Sequence, residues 1–182
     1  LLVTLGDAGT VFPKCAGLDT ITIATTTPPT FTDVTGSVYL DRTPTLDTAT
    51  RTITVVTGAS TTNVTRYSTT TDNGSFTINI PASEGIATGT PILAYIDQYV
   101  GVPGATFTVA DSSSGFIHDL DIIHDHVSVK AQSTDFNATI HEGDILFLDQ
   151  TDDEHLPFTT ATSSFTTDEG ITFYVFPNTT AE

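Results

Sequence analysis

The sequence predicts an all-β fold, and three observations predict it. Of 182 residues, 66 are β-branched (39 Thr, 14 Ile and 13 Val), whereas Glu, Lys, Arg, Gln and Met together number 13. β-Branched side chains are stiff at χ1 and pack well on a pleated surface, and the straight chains that favour a helix are nearly missing. Hydrophobic residues make up 38% of the chain, enough for a real core in one large or two small domains. Finally, strand-like runs of about six to ten residues are separated by Gly, Pro, Asp or Asn, the rhythm of an antiparallel sandwich and not of βαβ units.

Taken in order, residues 1–31 read as an N-terminal arm. Within it Leu18 to Thr25 alternates as a strand, with Leu18, Ile21 and Ile23 as the apolar positions, and stops at Pro28-Pro29, because two prolines cannot continue a ladder. Residues 32–111 hold the regular series: 33–42, 51–60, 63–71, 75–80, 90–98 and 105–111. The sharpest turn is Asp72-Asn73-Gly74, where Asn and Gly tolerate positive φ and can close the hairpin between the third and fourth runs. Residues 112–182 read as a C-terminal β region packed on the sandwich or continuing it. It opens on Ser112-Ser113-Ser114-Gly115 and ends with two strand-like runs, FTTATSSFTT and ITFYVFPN.

The ordered series VTGSVYLDR, TITVVTG, TTDNGSFTINIP, GTPILAYID, GATFTVADSSSG and LDIIHDHVSVK resembles an Ig-like repeat of very large secreted bacterial surface proteins, a module with a prealbumin-type sandwich. The likeness spans roughly residues 33–150. It departs at Asp41-Arg42-Thr43, where those repeats carry DEG, and at Lys130-Ala131-Gln132, where they carry RHD. The resemblance implies a secreted structural or adhesin module with no catalytic residues.

Charge and composition narrow the function. Twenty-two acids against five Lys and Arg give a formal charge of −17, a field that repels nucleic acid. Charged residues are only 15% of the chain, while Ser and Thr fill 51 positions, so hydroxyls must cover much of the surface, as suits an extracellular, cell-surface protein. The lone Cys15 cannot form an intrachain disulfide. No run approaches the roughly 18 apolar residues of a membrane span. The chain begins at Leu1 with neither Met nor a signal-like segment, as a mature product or a fragment would.

Candidate sites cluster late. All five His and ten of the acids fall within residues 118–155. His124 and His126, two apart on a strand, would share a face, and His141 on the next strand could complete a transition-metal site. Asp149, Asp152, Asp153 and Glu154 fall in one turn, a donor set for calcium, and Asp119 with Asp121 would form a second acidic pair if extended. Four of the five Asn sit in sequons, at Asn63, Asn73, Asn137 and Asn178, candidates for glycosylation. There is no nucleophile elbow, phosphate-cradling Gly loop, CxxC pair or Trp, so the expectation is a protein that is not an enzyme. The leading reading is a secreted subunit of a filament, sheath or surface layer that homo-polymerises by β-strand contacts, with the Leu18 segment completing a neighbour's sheet. The alternative is a calcium- or carbohydrate-binding adhesin module of a larger surface protein.

Overall fold

The computed structural model describes residues 31–60, 63–84, 86–97, 102–110, 116–132, 138–140, 148, 155–161, 164–177 and 179–181. Their structure is nearly all β, built from sheets packed face to face. The first sheet contains β1 (Phe31–Tyr39), β4 (Ser75–Pro81), β7 (Phe116–Ile117) and β8 (Ile122–Ile123), with β4 at its border and β1 central. The second runs in the order β13 (Thr172–Val175), β9 (His126–Val129), β6 (Ala105–Val109), β5 (Pro91–Ile96), β2 (Thr52–Ser60) and β3 (Asn63–Thr70).

Side-chain period explains the layering. On β4 the alternation is clean: Phe76, Ile78 and Ile80 are buried, while Ser75, Thr77 and Asn79 face out. The apolar run PILAYI of β5 breaks that alternation because its sheet is buried on both faces. Ile92, Ala94 and Ile96 join Val34, Val38, Ile53 and Val55 in the core between the two sheets. Leu93 and Tyr95 point the other way, onto a second core with Phe107, Val127, Val129, Leu148, Leu156 and Phe158. That outer layer comes from the C-terminal region, where β11 (Phe158–Ala161) and β12 (Ser164–Thr167) form a hairpin. Phe107, Phe158, Phe165 and Phe173 stack in sequence with centroids 5.2–5.5 Å apart, geometry that adds to simple burial. The run FTTATSSFTT is thus two short strands.

The expected antiparallel order holds for β1–β4, β2–β3, β2–β5 and β5–β6. It fails where the chain changes sheets. After β6 the chain crosses to the first sheet as β7 and β8, both parallel to β1, then returns as β9, parallel to β6. A crossover returns a strand in its original direction, which a tight hairpin cannot do. β13 lies parallel to β9, and β10 (Ala138–Ile140) parallel to β14 (Thr179–Ala181). The segment 116–129, on the C-terminal side of residue 111, therefore contributes strands to both sheets of the sandwich.

Two glycines are fixed by space. A Cβ on Gly36 would lie 2.2 Å from the Leu120 carbonyl oxygen and 2.6 Å from Phe76 Cζ, so β7–β8 can cross β1 there only over glycine. Gly74 has φ +81° and Asn73 φ 48°, the left-handed pair the Asn73-Gly74 turn predicts.

Candidate functional site

Three constellations of polar side chains could carry chemistry, and the first surrounds Asp47, in the loop that carries the chain from β1 to β2. Its Oδ1 accepts the Ala49 N–H at 2.9 Å, an Asx turn, and its Oδ2 accepts Arg51 Nε–H at 2.6 Å. His124 Nε2 lies 3.0 Å from the same Oδ2, within ion-pair distance but off the line of a good hydrogen bond. Asp47 and His124 are only 4% and 6% exposed. Burial pushes the His124 imidazole below its ordinary 6.5, outweighing the pull of Asp47, so the ring is neutral at pH 7. Burial alone would raise the Asp47 carboxyl; the Ala49 amide and the Arg51 guanidinium prevail and hold it below 3.8. The cluster staples the loop to the turn at His124.

Beside it lies a cleft of about 190 Å³ lined by Tyr39, Asp41, Arg42, Pro44, Asp121, Ile123 and Phe176. Arg42 stacks over the Tyr174 ring at 4.0 Å. Lys130 Nζ bonds Asp121 Oδ2 and the Asp119 carbonyl, each at 2.8 Å. Burial nevertheless raises the Asp121 carboxyl above its usual range, and burial with that neighbouring charge raises the Tyr39 hydroxyl.

In the third, Asp97 accepts hydrogen bonds from His155 Nδ1 and Thr54 Oγ1, both at 2.7 Å, and Ser68 Oγ lies 2.7 Å from Thr54 Oγ1. Thr54 spends its single proton on the carboxylate, so Ser68 donates to Thr54. These hydroxyls sit on the acid and not on the imidazole, so the arrangement lacks a nucleophile–base pair.

The predicted site residues fare differently. His124 and His126 do not share a strand face: residues 124–125 form a turn with Asp125 at φ 57°, and His126 Nδ1 donates to the His124 carbonyl at 2.7 Å. Nor is Asp119 extended, at φ 58°, while Asp121 is engaged by Lys130. Among the described residues there is no group of three or more His, Cys, Asp or Glu placed to hold a metal. Asn73 is exposed at its turn, and Asn63 begins β3. Leu18, Ile21, Ile23, Cys15, Asn137, His141, Asp149, Asp152, Asp153, Glu154 and Asn178 lie outside the described residues.

Sequence reading passed over Asp47, whose signal was its spacing: four residues before Arg51 and two before Ala49, in the loop it shares with Asp41. It also passed over the border of the first sheet. β4 pairs with β1 on one side and with no described strand on the other. Val38 N–H donates to the Gly74 carbonyl at 2.7 Å, one step beyond the Ser37–Ser75 pair. Bonded and non-bonded pairs alternate along an antiparallel ladder, so the backbone groups of Ser75, Thr77 and Asn79 point outward. Those of Ser75 are closed by Asp72, at 2.8 and 3.0 Å. Thr77 and Asn79 are left presenting N–H and C=O at the edge, flanked by neutral side chains. No family model, curated protein or solved structure matches the chain.

Proposed function

We propose that the chain is a secreted structural subunit of an extracellular filament, sheath or surface layer, a homo-polymer assembled by β-strand contacts between copies. The observation that carries this reading is the open rim of β4. A neutral, unbulged edge over an apolar core, open at Thr77 and Asn79 and with proline only at its end, Pro81, is a template for another chain, and folds that stay monomeric usually blunt such an edge with lysine, proline or an inward charge. The polar clusters support it as well, since their acids, imidazoles and hydroxyls are spent on tying loops and layers together and not on a reaction centre. The N-terminal segment Leu18 to Thr25 supplies the alternating strand that such an edge takes, with Ile21 and Ile23 on one face for register. Ig-like surface modules, which the sequence resembles, fit the same role, and an exposed Asn73 suits a glycan on the outer surface of an assembly.

A second reading, an adhesin module that binds a sugar or calcium, is favoured by the cleft at Tyr39, Asp41, Arg42, Asp121 and Phe176, which offers aromatic faces beside acids and a guanidinium. Electron microscopy of the purified chain separates the two. Regular polymers that disappear when residues 1–27 are deleted support the subunit; isolated globules at every concentration support the adhesin module.

A further inference from the structure

Resting on the subunit reading, we infer that the acceptor is the outer edge of β4, where the backbone of Thr77 and Asn79 takes the Leu18 to Thr25 segment of a second copy as an added strand of the first sheet. The edge has the chemistry for it. Two N–H and two C=O groups face outward in register, and no bond among the described residues uses them. β3 borders the second sheet nearby, but its Thr65, Arg66 and Tyr67 carry further interactions of their own, and β13, the opposite border, is only four residues long.

The occupant fits in length and pattern. β4 spans seven residues, with Phe76, Ile78 and Ile80 inward and neutral side chains outward. In an added strand Ile21 and Ile23 continue the inward row, beside Tyr67 and Ile86, which pack half-buried against the same core. Thr20 and Thr22 then continue the outward hydroxyl row. With one charge, at Asp19, between Leu18 and Thr25, the segment brings little of the repulsion that a net charge of −17 would impose on another part of this chain.

The geometry also selects a second copy over the same one. Phe31 pairs with Pro81 at the far end of β4. To lie on its own β4, the segment would have to double back across that end within the five residues 26–30, two of which are proline. A neighbour's segment needs no such reversal.

The test uses full-length chains in which Cys15→Ser removes the native thiol. Chains carrying T20C or T22C are mixed with chains carrying T77C or N79C, polymerised and oxidised. At least one pairing should give a disulfide-linked dimer under denaturing, non-reducing conditions, at a yield tenfold or more above that of the same chains held unpolymerised. Independently, Thr77→Pro removes an outward N–H that the fold does not use, and proline is tolerated at such edge positions; it should cut the assembled fraction at least tenfold at matched concentration. Polymers that form without any cross-link to residues 77 or 79 would overturn the β4 assignment and leave the subunit reading intact. A link that forms only within one chain, in a double variant, would overturn the exchange between copies. Failure of the Cys15→Ser parent and of the unmodified chain to polymerise would instead refute the subunit reading itself, and the assignment with it.

Discussion

Asp47 is the residue on which most of the buried polar structure turns. Its backbone amide donates to the Val38 carbonyl at 2.9 Å, while its carboxylate meets Ala49, Arg51 and His124. A buried carboxylate persists only when donors replace water; Asp47→Ala would take the acceptor from the Ala49 amide and the carboxylate from the part-buried Arg51 guanidinium, and cost about 2 kcal/mol or more. The His124 half of the cluster makes stability depend on pH. Its folded-state pKa lies below the ordinary 6.5, so between those two values the unfolded chain binds more protons than the folded one. The stability gained by keeping the ring neutral is therefore present above about pH 6.5 and is lost as pH falls through that window. Asp47, also lowered, acts with the same sign but only below the carboxylate range. The charges facing the ring are Asp47, Arg51 and Asp125. Urea midpoints measured from pH 7.5 to 5 should fall more steeply for the native chain than for His124→Gln; parallel curves would contradict a buried neutral His124.

At the scale of elements, the tightest constraint is where β7–β8 pass over β1. Gly36→Ala places a methyl against the Leu120 carbonyl and the Phe76 ring, both held by backbone pairing or core packing, and neither can retreat cheaply. The substitution should lower stability by about 3 kcal/mol, read as a reduced denaturant midpoint at unchanged slope; a midpoint within experimental scatter of the native value would show that the crossing yields. The strands themselves were largely legible. Period-2 alternation on β4 and the Asn73-Gly74 turn are local signals, and β1 to β6 fall close to the runs the sequence marks out. What was not legible is what a strand's neighbours decide. The parallel pairing of β7, β8 and β9 depends on a change of sheet that no local period encodes. His124-Asp125-His126 looks like alternation until Asp125 takes positive φ and turns it into a corner. The cluster at Asp47 joins residues up to 77 positions apart, and a loop aspartate carries no mark of its burial.

For the whole molecule the governing quantity is charge. Copies that each carry −17 repel one another, so contacts made through neutral strands must overcome a long-range penalty that depends on salt. The screening length falls from about 30 Å at 10 mM salt to about 8 Å at 150 mM, shorter than the width of the sandwich. Assembly through the β4 edge should therefore be faster at 150 mM than at 10 mM NaCl, severalfold or more in light-scattering rate, with little difference between NaCl and KCl because general screening is responsible. Calcium bridging through Asp149, Asp152, Asp153 and Glu154 would behave otherwise: micromolar to millimolar calcium would substitute for the monovalent salt, and EDTA would dissolve formed polymers. Strand addition places its free energy in backbone hydrogen bonds and apolar burial, neither of which a chelator reaches. Polymers grown at 150 mM NaCl should survive EDTA with their scattering unchanged, and their dissolution would move the principal contact from the neutral rim of β4 to the acidic segment near residue 150.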